Sequence, residues 1–196
     1  MSNPAYSDRT AFTPDGGVVV DLTFLSLTGL DRNYIRSFSE AAELLVERVL
    51  TGPEGGNDRL IFTIGFLFRH YLELQCKYLI EAAWHLHNKG PFKPKKGHFL
   101  KELWDETRKA IQPEFPEFTD TAFDSVESII YQFDAVDPTG VEFRYARTLK
   151  GDQSLNTIPS VSIEKMNEAM ERAKSFLDQW AFELDIRFDE ANQISE

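Results

Sequence analysis

The sequence predicts an all-α protein, an antiparallel helical bundle of about five helices with short extended segments. Three observations carry that expectation. Apolar residues recur at helical spacing through several long segments. Clusters of Gly, Pro, Asn and Asp separate those segments and mark where each must stop. One stretch, residues 61–79 (IFTIGFLFRHYLELQCKYL), is apolar almost throughout, too greasy for an exposed helix.

Taken in order, residues 1–17 are rich in Pro, Gly, Ser and Asp and read as a flexible N-terminal arm. Residues 18–190 read as a single helical-bundle domain and 191–196 as a C-terminal tail. The run from Val18 to Phe24 is β-prone and is expected to be extended. Phe38, Ala41, Ala42, Leu45 and Val49 follow helical spacing and predict a helix over 38–50. The segment TGPEGGN, residues 51–57, breaks it. Asn57 or Asp58 can cap a second helix that runs to about Asn88, long enough to span the domain. Two Pro and two Gly within 89–97 then forbid a continuous helix.

Leu100, Leu103, Trp104 and Ile111 predict a helix over 98–111, ended by Pro113 and Pro116. Phe123, Val126, Ile129, Ile130 and Phe133 predict another over 119–133. Asp137-Pro138-Thr139-Gly140 is a turn, residues 141–145 are read as short and extended, and 150–160 as a polar loop. Ser162 caps a final helix to about Asp189, with Met166, Met170, Ala173, Leu177, Trp180 and Leu184 on its apolar face.

Composition narrows the class. Of 196 residues, 42% are hydrophobic and 13% aromatic, enough for a sizeable core. No charge-free apolar run approaches the roughly 18 residues of a membrane span. The start, MSNPAYSDRT, lacks the basic and apolar regions of a signal peptide. The single cysteine, Cys76, lies in the apolar helix and is expected to be a buried thiol. A cytoplasmic protein without a membrane partner is the expectation.

The net charge of −11 argues against nonspecific nucleic-acid binding. The charge is uneven, however. Residues 85–101 hold five Lys and three of the four His with no acid, whereas 102–142 hold eleven acids. A basic loop on an acidic body suits a phosphate group or an acidic partner, and it also suits a solvated loop.

No phosphate-binding glycine loop, dinucleotide fingerprint, nucleophile elbow or zinc-finger cysteine set is present, so no cofactor is expected. His85 and His87 stand two positions apart on a helix and point to different sides, a poor metal site, and no metal is expected. The better candidate is an ionic stripe. Arg69, Glu73 and Lys77 recur every four residues on the apolar helix and can pair along it. Such a stripe is either a sealed ion network or the floor of a polar site. In the second case other segments must supply partners: His98, Asp137, and Arg144 with Arg147. Two or three cations around one acid suit a phosphate or nucleotide.

Three segments resemble HEPN-like bacterial helical-bundle proteins. Phe68-Arg69-His70-Tyr71-Leu72-Glu73-Leu74-Gln75-Cys76-Lys77 resembles their core helix. Gly97-His98-Phe99-Leu100-Lys101-Glu102-Leu103-Trp104 resembles the start of a following helix, and Asp137-Pro138-Thr139-Gly140 with Phe143-Arg144-Tyr145 resembles a later segment. The three occur in the family's order across residues 60–147. The resemblance implies an antiparallel bundle, homodimerisation through helix faces, and a place in phage defence or toxin–antitoxin systems.

Ribonucleases of that family carry Arg and His separated by four to six residues. Here Arg69 directly precedes His70, and no histidine has an arginine at the family's spacing. The leading expectation is therefore a non-catalytic or weakly catalytic component that binds a nucleotide, an RNA at a local basic site, or a partner protein. In it Arg69, Lys77, Arg144 and Arg147 hold anionic oxygens, Glu73 orients the cations, and His98 and His70 exchange protons or hydrogen bonds. Two alternatives stand beside it: a divergent metal-independent ribonuclease, and a structural interaction protein with a sealed ion network.

Overall fold

A computed structural model describes residues 30–53, 59–88, 90–93, 97–148 and 150–193, and among them five α-helices form where apolar residues keep the 3.6-residue period. They are α1 (Leu30–Thr51), α2 (Leu60–His87), α3 (Leu100–Ile111), α4 (Asp120–Val136) and α5 (Ile163–Gln193), with a 3-10 turn at Gln112–Glu114 after α3. The all-α expectation holds. The arm at 1–17, the extended run at 18–24 and the caps Asn57 and Asp58 lie outside the described residues.

α1 begins eight residues earlier than the periodicity suggests. Its first turns are polar, but Ile35 is buried and Arg32 pairs with Asp185 of α5 at 2.6 Å, so tertiary contacts carry the helix. α5 runs to Gln193, so the first residues of the expected tail are helical. Ser162 caps it as expected, its hydroxyl accepting the Lys165 N–H at 3.3 Å.

Residues 141–145 are a correction: they form turns, not an extended piece. The Asp137 carboxylate accepts the N–H groups of Val141 (2.7 Å) and Glu142 (3.0 Å), and the Val141 carbonyl accepts from Arg144 and Tyr145. A buried carboxylate thus curls the backbone that β-prone side chains would have straightened.

The order of paired residues gives the helix directions. Arg32 meets Asp185 and Glu43 meets Lys174, so α1 and α5 are antiparallel. Lys101 meets Tyr131 and Arg108 meets Asp124, so α3 and α4 are antiparallel too. α2 and α5 run parallel, because Tyr71 reaches Asp178 and Tyr78 reaches Asp185. α3 also runs parallel to α2: His98 lies beside Glu73, whereas Thr107 reaches the Cys76 carbonyl and His87 meets Glu114. The chain after α2 therefore travels back along the helix before α3 starts, and this return delivers His98 to the middle of α2.

α2 packs against α1, α3 and α5, while α4 bridges α3 and α5. The core centres on Trp180, which is fully buried, stacked on Phe123 with ring centroids 4.6 Å apart and flanked by Phe176 and Trp104. Burying one such side chain contributes roughly 1.5–3 kcal/mol. On α2, Gly65 lets the Phe143 ring lie against the helix backbone; a β-carbon there would stand 2.3 Å from that ring. This contact clamps the 137–145 turn onto α2. Among the described residues, no helix is long and apolar enough to cross a membrane.

Candidate functional site

The stripe on α2 sits under that turn. The Arg69 guanidinium is buried, and its donors are largely committed. Nε donates to the Asp137 carbonyl (2.8 Å), Nη1 to Glu73 Oε2 (3.2 Å), and Nη2 to the carbonyls of His98 (2.6 Å) and Pro138 (3.4 Å). The Asp137 carboxylate adds an ionic contact at 3.5 Å. One arginine thus ties three separate segments together and satisfies their orphan carbonyls. Gly140, at φ +75°, closes the turn over it; a β-carbon would lie 2.7 Å from Arg69 Nη1.

Glu73 is buried and shared. Its Oε1 accepts Lys77 Nζ at 2.7 Å and contacts His98 Nδ1 at 2.7 Å, while Oε2 faces Arg69. Burial alone would raise the Glu73 pKa, but the hydrogen bonds from Lys77 and His98 outweigh it and hold the carboxyl below its ordinary 4.5. Stability from this group is present above about pH 4.5 and lost as pH falls through its lowered value. With Glu73 ionised, His98 Nδ1 carries a proton, and in the neutral ring Nε2 keeps the free lone pair.

A groove of about 210 Å³ opens beside this network, lined by Phe66, His70, Glu73, His98, Thr139 and Arg144 together with Arg69 and Gly140. His70 is wedged between aromatic rings, stacked on Phe66 (5.6 Å) and edge-on to Phe38 (4.5 Å). Burial, aided by the Lys77, Arg144 and Arg69 charges, lowers its pKa below 6.5 against the pull of Glu73. The unfolded chain then binds the proton more readily than the folded one. Stability is expected to fall as pH drops below about 6.5. Melting temperatures of wild type and His70→Gln between about pH 7 and 5 test this. The variant is expected to lose less stability on acidification, and an equal fall in both proteins refutes the assignment.

Arg144 is exposed. Its guanidinium lies near the Tyr145 ring (5.4 Å) and the Phe66 ring (5.8 Å), and among the described residues it makes no ion pair.

Of the residues singled out from the sequence, Arg69, His70, Glu73, His98 and Arg144 converge on this groove. Lys77 reaches it only through Glu73 and otherwise lines a neighbouring groove. Arg147 stands apart, its guanidinium donating to the Gly151 carbonyl at 3.0 Å. Phe66, Thr139 and Gly140 also line the groove, and no charge or spacing in the sequence marks them for it. The Asp-Pro-Thr-Gly turn was visible in the sequence, but nothing there showed that it folds over Arg69. Cys76 is fully buried, and burial pushes its thiol up to about 12, a structural cysteine. Among the described residues, no group of three or more His, Cys, Asp or Glu converges on a metal position. Comparisons with family models, curated proteins and solved structures find no match for the chain.

Proposed function

We propose that the groove binds the phosphate of a nucleotide, and that the protein is a HEPN-like component of a bacterial defence or stress module of toxin–antitoxin type. In this reading it acts by homodimerising and by engaging that ligand or a partner protein, with little or no catalysis. The supporting observation is Arg144. In a chain of net charge −11, its guanidinium lies near two aromatic rings, shares the groove with two histidines and, among the described residues, pairs with no carboxylate. A guanidinium so placed suits a phosphate oxygen, and the rings at hand suit a flat base. Arg69 forms part of the wall of the site rather than touching the ligand, and Asp137 braces Arg69 from behind.

Thermal melting against a panel of nucleotides and short RNAs tests the reading. One class of ligand is expected to raise the melting temperature of the wild type and not of Arg144→Ala. A ligand at about 100 times its Kd stabilises the native state by about 2.7 kcal/mol. No shift with any ligand overturns the phosphate reading and leaves the sealed ion network around Arg69.

The Glu73–His98 hydrogen bond favours a second reading, a divergent metal-independent ribonuclease. A carboxylate on Nδ1 orients the ring so that Nε2 can take the proton of a 2′-hydroxyl, with Arg144 on the phosphate. RNA cleavage that disappears in His98→Ala would establish it; absence of cleavage by the wild type would remove it.

A further inference from the structure

A groove of about 470 Å³ lies between α2 and α3, on the far side of Lys77 from the site above. Its surface divides by chemistry. Ile80 of α2, Leu103 and Ala110 of α3 and Phe92 of the returning segment are apolar, the last with its ring 5.8 Å from that of Trp84. The rim is charged by Lys77, Lys93, Lys109, Glu81 and Glu106.

Those charges are not equivalent. Lys77 is held by Glu73, and Glu81 lies 3.7 Å from His85. Lys93 and Lys109 are exposed and, among the described residues, meet no carboxylate within ion-pair distance, although acids outnumber bases in this chain by 32 to 21. From Leu103 to Ala110 the groove follows seven rises of helix, about 10 Å, with Glu106 on its rim between them. A groove of that length with unpaired cations at its edge matches a ligand with a hydrocarbon body and one anionic end. The floor presents side-chain carbon and little for a peptide backbone or a nucleobase to hydrogen-bond.

We propose that this groove is a second binding site, for a medium-chain carboxylate. Its hydrocarbon lies against Ile80, Leu103, Ala110 and Phe92, and its carboxylate meets Lys93 and Lys109. The site is independent of phosphate binding at Arg144. The hydrophobic term makes binding depend on chain length, about two- to fourfold per methylene until the groove is filled. The two ammonium groups make it depend on charge at the far end.

Calorimetric titration of the full chain with octanoate tests the proposal. Octanoate is expected to bind more tightly than hexanoate, and octanol, the neutral counterpart, at least about tenfold more weakly. The double variant Lys93→Glu, Lys109→Glu alters two exposed side chains and is expected to fold normally, as its circular dichroism would show. It should weaken octanoate at least about tenfold, whereas Lys93→Arg, Lys109→Arg retains binding. Arg144→Ala should bind octanoate like the wild type. The proposal is overturned if octanoate does not bind, if octanol binds equally well, or if charge reversal at Lys93 and Lys109 leaves the affinity unchanged. Loss of octanoate binding in Arg144→Ala would also overturn it, by placing the ligand in the other groove.

Discussion

Asp137→Ala is expected to lower the free energy of unfolding by about 3–5 kcal/mol, the usual cost of removing one partner from a buried ionic cluster. The carboxylate is fully buried and has two tasks. It balances the Arg69 guanidinium at 3.5 Å, and it satisfies the N–H groups that shape the 141–145 turn. Alanine leaves the guanidinium with Glu73 as its remaining acidic partner and strands those donors away from water. Asp137→Asn separates the tasks: it keeps an acceptor for Val141 and Glu142 but gives up the charge, so its loss should be smaller. Urea unfolding of all three proteins measures both effects, with a shifted midpoint and an unchanged slope as the signature of lost stability. A loss below about 1 kcal/mol for the alanine variant would mean that Arg69 does not need this carboxylate.

Gly65→Ala is expected to destabilise the protein by about 1–3 kcal/mol despite improving helix propensity. In an open helix the same change stabilises by up to about 1 kcal/mol. Here the new methyl group falls between 2.3 and 2.8 Å from three atoms of the Phe143 ring. That ring is buried and held against Phe133, so it cannot swing into solvent. Adding Phe143→Leu to Gly65→Ala should make the glycine substitution cheaper than it is alone. A double-mutant cycle reads that coupling directly. A neutral or stabilising Gly65→Ala in the wild-type background would show that the turn is not clamped through this contact.

The helices were legible in the sequence because each carries its own signal, a periodic stripe between breakers. α2 and α5 are clear cases: Ile64, Phe68, Leu72 and Cys76 on the one, and Met170, Ala173, Leu177 and Trp180 on the other, are all buried at helical spacing. The early start of α1 was not legible, since it depends on Ile35 and on Arg32 reaching Asp185, a residue far away in the chain. The turn at 141–145 misled for the same reason. Val141, Phe143 and Tyr145 alternate like a strand, and only the placement of Asp137 shows that the backbone curls.

The site was half legible. Arg69, Glu73 and Lys77 advertise themselves by charge on an apolar helix. That His98 would join them depends on α3 running parallel to α2, and short connections in bundles usually produce antiparallel neighbours. Arg144 and Arg147 look alike in the sequence. What separates them is that the former lies over Phe66 and the latter against Gly151.

The Arg69 cluster also bears on the order of events in folding. Its bonds join positions 29 and 68–69 residues apart in sequence, whereas each helix closes its own contacts within four. Closing long loops costs entropy before any bond repays it, so helices and their local pairs should form first and this cluster last. Contacts absent from the transition state govern how fast a protein comes apart rather than how fast it assembles. In stopped-flow experiments Arg69→Met should therefore leave the refolding rate nearly unchanged and speed unfolding. The arginine would then act as a late latch, setting how long a folded molecule survives after its helices have found one another.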